Sequence, residues 1–287
     1  MNALPAEYIR QLARAALAED VGAGDITTNA AVPADMSAQA AMVAREPCVV
    51  AGLPLVVAVF GECDPRLRVE PLVADGARVT PATTVCRLTG LARGILIGER
   101  TALNFLQRLS GVATLTAEFV AAVVGTRAVI LDTRKTTPTL RRLEKYAVAV
   151  GGGVNHRLGL YDAMMVKDNH RAILARLGPA ALAEAVARVR RDHPRAPVII
   201  EADSLSDVEA ALAAGADQIL LDNMACDEMR EAVALVAGRA RTEASGGVRL
   251  DNVAEIAATG VDYISVGALT HSPRAIDFSL EIAMGAE

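Results

Sequence analysis

Charged side chains that could bind anions are concentrated between residues 132 and 167 of the 287-residue chain. This window holds seven basic and three acidic residues, giving a net charge of +4, whereas the remainder of the chain carries −9. All three lysines, Lys135, Lys145 and Lys167, lie in this window, and every other basic residue is an arginine. A short basic segment in an acidic protein indicates a site that attracts a small anion.

Two of these lysines are candidate catalytic residues. Where arginine has replaced almost every lysine, a retained lysine is a candidate for work that the rigid planar guanidinium cannot do. An exposed helix face is the alternative explanation of the charge, and it suits Arg141, Arg142 and Lys145. It suits Lys135 and Lys167 poorly, because each stands at the end of an apolar run.

The second half of the chain predicts an α/β barrel. Apolar, β-branched runs alternate there with Ala-rich helical stretches, and the six runs are 128–133, 162–168, 197–203, 218–223, 241–247 and 262–268. This alternation is typical of parallel strands buried on both faces, and a seventh strand would fit. A doubly wound open sheet is the alternative, although the chain has neither a GxGxxG motif after a strand nor a Walker loop.

The first half predicts a separate α+β unit. Short β-like runs punctuated by Gly and Pro lie between residues 37 and 98, after a predicted helix over 5–19. The apolar run 53–60 could also be helical. Residues 97–124 show a long helical pattern that Gly111 is expected to interrupt, giving two helices.

A barrel predicts that functional residues lie at the C-terminal ends of its strands. The steps from residue 201 to 222, 245 and 267 are 21, 23 and 22 residues, the length of one strand–helix unit. A polar residue or a glycine therefore recurs at the same position of successive strand–helix units. The predicted strand ends carry Arg134, Lys135, Lys167, Glu201, Asp222, Ser245, Gly246, Gly247 and Gly267.

Two acids and two glycine loops stand at these ends. Glu201 and Asp222 each close an apolar strand, where they could hold Mg²⁺ or ribose hydroxyls. Salt bridges to the basic cluster are the alternative, and the empty protein could have both. The loops 245–247 and 266–272 fall where barrels commonly bind phosphate through backbone N–H groups. Ordinary glycine turns are the alternative there.

A basic cluster would surround the same barrel mouth. Arginine suits planar carboxylates, whereas lysine suits pyrophosphate as a mobile point charge. His156 and Arg157 follow three glycines at 151–153, which favours a ligand contact for this histidine over a purely structural role. The other three histidines, His170, His193 and His271, are interpreted as structural or surface residues.

Composition excludes several classes of protein. Aromatic residues make up 3% of the chain and Trp is absent, which argues against a stacking platform for nucleic acid. The four cysteines form no CxxC pair, as expected of reduced thiols in a cytoplasmic protein. We expect no signal peptide, because no basic leader precedes an apolar run. No apolar run is long enough for a membrane span.

Several long motifs identify a family resemblance. The segments 99–114, 132–148, 151–170, 220–223, 245–247 and 261–272, together with LAEDVGAGDITT at 17–28, closely resemble the quinolinate phosphoribosyltransferase family. The resemblance covers essentially the whole chain. It implies an N-terminal α/β sandwich domain, residues 1–110 with the returning tail 271–287, and an incomplete, seven-stranded α/β barrel over 111–270.

The resemblance also implies the reaction and its residues. Quinolinate and phosphoribosyl pyrophosphate would give nicotinate mononucleotide, pyrophosphate and CO₂, with Mg²⁺ held directly or indirectly by Glu201 and Asp222. The implied quinolinate ligands are Arg100, Thr133, Arg134, His156, Arg157 and Lys167. The implied phosphoribosyl pyrophosphate ligands are Lys135, Lys167, Glu201, Asp222, Ser245, Gly246, Gly247, Ser265, Val266 and Gly267. Catalysis would rest on Lys135, Lys167, Glu201 and Asp222.

The resemblance further implies a homodimer, or a larger assembly, in which Arg100 reaches the active site of the partner subunit. Thr139 stands where the family usually has Gly, and Ala202 where Val is common. The alternatives are a related transporter-associated protein, another pyridine-carboxylate phosphoribosyltransferase, and a non-catalytic anion-binding barrel. The last is disfavoured, since binding an anion requires neither Glu201 nor Asp222.

Overall fold

The computed structural model describes residues 4–283. Its helices are α1 (Ala6–Val21), α2 (Ile26–Ala31), α3 (Leu53–Cys63), α4 (Ala92–Ala122), α5 (Arg141–Val150), α6 (Asp168–Ala175), α7 (Ala181–Asp192), α8 (Leu205–Ala213), α9 (Cys226–Val236), α10 (Val253–Ala257) and α11 (Ala268–His271). Its strands are β1 (Ser37–Ala44), β2 (Cys48–Val49), β3 (Arg68–Pro71), β4 (Arg78–Val79), β5 (Thr84–Leu91), β6 (Val129–Leu131), β7 (Met164–Val166), β8 (Val198–Ala202), β9 (Gln218–Asp222), β10 (Arg241–Ser245), β11 (Tyr263–Ser265) and β12 (Phe278–Ala283).

The described chain forms two compact units. The first consists of residues 4–117, 142–152 and 273–283, and the second of residues 118–141 and 153–272. The first unit contains a four-stranded antiparallel sheet in the order β12-β1-β5-β3. Its core is apolar, with Met42, Phe60, Leu88 and Leu103 all at most 2% exposed. The α+β unit predicted for this half is therefore confirmed.

Helix α4 corrects one expectation. The sequence predicted two helices separated at Gly111, but the structure has one continuous helix of 31 residues. Gly111 serves a close approach between backbones instead. A Cβ atom at this position would lie 2.0 Å from the carbonyl oxygen of Arg274. The glycine is needed for packing within the first unit, and the surrounding helix tolerates its low propensity.

Helix α5 corrects a second expectation. Lys145, interpreted from the sequence as part of an exposed helix face, is only 2% exposed, while Arg142 is exposed. The neighbouring Glu144 is equally buried and accepts a hydrogen bond from Arg108 at 2.9 Å. The third lysine is therefore a buried residue of α5, in which Leu143, Ala147 and Val148 are buried as well.

The second unit is built on a parallel sheet in the order β6-β11-β10-β9-β8-β7. All six runs predicted as strands form these six strands, and β8 is buried at every position. In the place of a seventh strand, Val154 makes a single parallel bridge to Leu131. The register aligns the predicted strand ends, since Ser245 pairs with Asp222 across β10 and β9.

The register also separates the inward-facing residues into layers, because alternate residues of a strand share a face. Asp222 and Ser245 form one layer. One layer deeper, Glu201 and Glu243 both pair with Leu220. Leu220 and Glu243 stand two residues before the ends of their strands, and Glu201 stands one residue before the end of β8. In addition, none of the helices within residues 4–283 is long and apolar enough to span a membrane.

Candidate active site

A cavity of about 790 Å³ lies in the second unit. Twelve of the residues singled out from the sequence line it, namely Thr133, Arg134, Lys135, His156, Arg157, Lys167, Asp222, Ser245, Gly246, Gly247, Ser265 and Gly267. The strand-end register therefore brings together groups that are more than 130 residues apart in the chain. The cavity is large enough for a small multiply charged molecule.

Two guanidinium groups define the anion-binding character of the cavity. Burial, with the Arg134 guanidinium as the second cause, lowers the pKa of Arg157. The Arg134 Nε atom is buried and has no hydrogen-bond partner among the described residues. A buried donor without a partner is costly, and so is the proximity of two like charges. A carboxylate bound between the two side chains would relieve both costs.

The loops that carry these arginines are tied together by a buried acid. Asp132, which is fully buried at the end of β6, accepts hydrogen bonds from Asn155 Nδ2 at 2.7 Å and from the His156 backbone N–H at 2.8 Å. Arg141 adds a link, since it donates to Thr136 Oγ1 at 3.0 Å and to the Leu158 carbonyl at 3.2 Å. The arginines are therefore presented from loops that the fold holds in place.

A second group of charged residues consists of Lys167 and the acids Glu201 and Asp222. Lys167 Nζ lies 3.1 Å from Glu201 Oε2, so the salt bridge that the sequence left as an alternative is present. Glu201 Oε1 also accepts from the Asp168 backbone N–H at 3.0 Å. Burial first, and the negative charge of Glu201 second, raise the pKa of Asp222. A cation bound here would reduce that repulsion.

The acids could hold a divalent metal ion. Glu201, Asp203 and Asp222 each offer a carboxylate oxygen, and these oxygens lie within 4.8 Å of one another. Three carboxylate oxygens match the hard oxygen ligands that Mg²⁺ prefers. Asp203, which was not identified from the sequence, also forms an ion pair with Arg171. The donor set therefore fits Mg²⁺, with Asp203 as a third candidate ligand.

Glycines let backbone approach the cavity closely. Gly246 has φ +92°, and a Cβ atom there would lie 2.1 Å from Asn223 Oδ1. At Gly267 a Cβ atom would lie 3.1 Å from His271 Nε2 and 3.2 Å from Lys135 Cδ. Gly246 therefore needs to be glycine for steric reasons, and Gly267 leaves little room for a side chain, as in a loop that presents N–H groups to a phosphate.

Three predicted site residues do not line the cavity. Arg100 is exposed on α4 in the first unit. Glu201 is 4% exposed and lies behind Lys167, to which it is paired. Val266 is fully buried, and its N–H donates to the Leu131 carbonyl at 2.9 Å. Of these three, Glu201 is connected to the cavity through its ion pair.

Six lining residues were not singled out from the sequence, namely Met165, Leu220, Asn223, Glu243, Val248 and Arg249, whereas Ala268 and His271 lie in the loop 266–272 that was predicted to bind phosphate. His271 had been interpreted as structural or surface, but its ring faces Gly267 at the cavity. His170 is structural as interpreted, because its Nδ1 accepts from the Lys167 backbone N–H at 3.0 Å. Glu243 lies in a strand that also holds Arg241, Thr242 and Ser245, so the strand gave no apolar background against which the acid would stand out.

Comparison with known proteins gives one consistent result. Residues 25–110 match the N-terminal domain, and residues 112–281 the C-terminal domain, of quinolinate phosphoribosyl transferase. The nicotinate-nucleotide pyrophosphorylase (carboxylating) of Mycobacterium leprae is 46% identical over 95% of this chain and 96% of its own length. The mitochondrial quinolinate phosphoribosyltransferase (decarboxylating) 2 of Nicotiana glauca is 41% identical over 97% of this chain and 83% of its own.

Solved structures agree with the sequences. The crystal structure of NadC from Streptococcus pyogenes superposes with a TM-score of 0.94 at 40% identity, covering 100% of both chains. Human nicotinic acid phosphoribosyltransferase shares the fold alone, with a TM-score of 0.60 at 14% identity over 96% of this chain and 74% of its own. The chain therefore belongs to the quinolinate phosphoribosyl transferase family of enzymes.

Proposed function

We propose that the protein transfers the phosphoribosyl group of phosphoribosyl pyrophosphate to quinolinate with loss of CO₂, forming nicotinate mononucleotide and pyrophosphate for NAD biosynthesis. The observation that carries this proposal is the pair of Arg134 and Arg157, with a buried Nε donor that lacks a partner among the described residues. Two guanidiniums beside one cavity suit a ring that carries two carboxylates. The names of the relatives support the same substrates.

The phosphorylated substrate would occupy the other side of the cavity. The glycine loop at 245–247 and Gly267 are suited to the 5-phosphate, because their backbone can approach the oxygens without steric conflict. Lys135 and Lys167 line the same cavity as mobile cations that suit the pyrophosphate. Asp222 and Glu201 would face the ribose hydroxyls. The roles of Arg100, Thr133, His156, Ser265 and Val266 as ligands remain predictions.

Mg²⁺ is the cofactor that these acids fit. Glu201, Asp203 and Asp222 would hold it, directly or through water, because their oxygens lie within 4.8 Å of one another. When bound, the ion supplies positive charge for the leaving pyrophosphate. The binding of Mg²⁺ can be measured separately by calorimetry. If this donor set is correct, the affinity for Mg²⁺ should be at least tenfold weaker in Asp222→Asn.

The residues of the chain would act mainly through charge and position. The pyridine nitrogen attacks C1′ of the ribose as the bond from C1′ to the pyrophosphate oxygen breaks. Lys135 and Lys167 stabilise the negative charge that develops on that oxygen. The cationic ring then accepts the electron pair of the bond to the 2-carboxylate, CO₂ leaves, and the ring carbon takes a proton from solvent. These reaction steps need quinolinate to be oriented by Arg134 and Arg157, but they need no protein base.

We also propose a homodimer, alone or as part of a larger assembly, and a cytoplasmic location. The support for a shared site is that Arg100 is exposed on α4 and is not a lining residue of the cavity. Mixing Arg100→Ala and Lys167→Ala proteins tests it. If sites are shared, some mixed dimers contain one intact site and regain activity. A mixture as inactive as its two parents would contradict the proposal.

The reaction itself is tested by release of labelled CO₂ from quinolinate carrying the label in its 2-carboxylate. Release should require phosphoribosyl pyrophosphate and should fall at least 100-fold in Lys135→Ala. The matched control is Arg176→Ala, which removes one cation just after α6, outside the cavity lining, and should leave the rate unchanged. A folded protein that releases no CO₂ would turn attention to other pyridine carboxylates and to the transporter-associated relative.

A further inference from the structure

Glu243 is a fully buried acid in the cavity that the proposed reaction does not use. Its Oε1 accepts a hydrogen bond from Ser265 Oγ, and its Oε2 accepts one from Gln218 Nε2. His156 Nε2 lies 3.3 Å from the same Oε2 atom. The two oxygens of Glu243 therefore accept hydrogen bonds from Ser265 and Gln218 and lie within reach of the His156 ring.

The second nitrogen of the His156 ring is also engaged. The backbone N–H of Arg157 donates to His156 Nδ1 at 2.6 Å. A nitrogen that accepts a hydrogen bond carries no proton, so the proton of the ring lies on Nε2 and points at Glu243. The side chain is only 8% exposed. Both ring nitrogens therefore have protein partners.

We propose that Glu243 is a positioning residue that acts through His156 on Arg157. Glu243 fixes the ring in the Nε2–H form, and Nδ1 then holds the backbone at Arg157. The Arg157 side chain is thereby kept beside Arg134 in the cavity. This inference rests on the proposed function, and it gives His156 a positioning role through Arg157.

The first test is the ring form of His156 in the unmodified protein. The chain has four histidines, so ¹⁵N-histidine spectra can be assigned with His156→Asn as the reference. We expect an unprotonated Nδ1 and a protonated Nε2 for His156. The opposite tautomer would overturn the proposal. This measurement needs no turnover, so its outcome is independent of whether quinolinate is the substrate.

The second test uses two replacements of Glu243. Glu243→Gln can keep an oxygen at the Oε2 position, where His156 and Gln218 both donate, and its NH₂ group can donate to Ser265. It should keep the tautomer and change the KM for quinolinate less than threefold. Glu243→Met has a similar size but no acceptor, so the KM should rise about tenfold or more. In Glu243→Met the KM for phosphoribosyl pyrophosphate should rise less than the KM for quinolinate.

Gln218→Met is the matched control, because it removes a donor to the same carboxylate and leaves the acceptor for His156 in place. We expect its KM for quinolinate within twofold of the parent. An equal rise of the KM for quinolinate in Gln218→Met and Glu243→Met would overturn the proposal. It would mean that the packing around Glu243 sets the KM and that the hydrogen bond to His156 does not. If Glu243→Met fails to fold, the tautomer of the unmodified protein and of Glu243→Gln still decides the matter.

Discussion

Replacement of Thr139 by glycine should stabilise the protein. Thr139 has φ +69°, in the left-handed region that β-branched residues rarely adopt. The backbone at Thr139 therefore has a shape that suits glycine, while the residue carries a Cβ atom there. The cost of that Cβ atom is about 1–2 kcal/mol.

The expected gain is smaller than this strain, because glycine also increases the freedom of the unfolded chain by about 0.4–1 kcal/mol. The net stabilisation of Thr139→Gly is therefore about 0.5–1 kcal/mol. For a protein of this size that corresponds to a rise in Tm of about 1–4 °C. Differential scanning calorimetry at a single scan rate would resolve such a shift.

Thr139→Ala is the matched control, since it removes the hydroxyl and the β-branch but keeps the Cβ atom at positive φ. Its Tm should rise less than that of Thr139→Gly. If Thr139→Gly lowers the Tm, or if alanine and glycine give the same shift, the argument from backbone strain is refuted. The loop also precedes α5 and follows Lys135, so the KM values of the variant would report any change at the cavity.

Three further results are expected. Lys167→Met should lower kcat at least 100-fold through loss of the cation paired with Glu201, while the Tm from circular dichroism changes by less than about 3 °C because the Lys167 side chain is 47% exposed. Asp222→Asn should be more stable than the parent at pH 7 in urea titrations, and the difference should disappear as the pH falls below about 4. The reason is that the folded-state pKa of Asp222 is raised, so this carboxyl stabilises the fold only below its unfolded pKa and loses that contribution as the pH rises. Gly246→Ala should raise the KM for phosphoribosyl pyrophosphate at least tenfold in initial-rate assays, because its Cβ atom would meet Asn223 at 2.1 Å.

Local patterns were sufficient to predict the strands of the second unit and the residues at their ends. Most of these strands are short apolar runs. A parallel sheet aligns the ends of its strands, so one register brings Asp222 and Ser245 side by side. Arg134, Lys135 and Lys167 could be found for the same reason. Their positions follow from the end of a run and need no knowledge of distant contacts.

The failures concern residues whose role depends on distant partners. Gly111 has the sequence signal of a helix break, yet its function is to admit the Arg274 backbone, 163 residues later. Lys145 reads as an exposed residue by its type alone, and only the packing of α5 shows that it is buried. Glu243 lies two residues before a strand end, so a search restricted to strand ends could not find it.

The most direct test of the account is the product balance of the reaction. Quinolinate and phosphoribosyl pyrophosphate would be incubated with the protein, and nicotinate mononucleotide, pyrophosphate and CO₂ would be quantified together by chromatography and trapping of labelled gas. The account predicts equal amounts of the three products and no nucleotide when nicotinate replaces quinolinate, because two guanidiniums beside one cavity suit a ring that carries two carboxylates. Nucleotide formed from nicotinate at a comparable rate, or formed without CO₂, would contradict it.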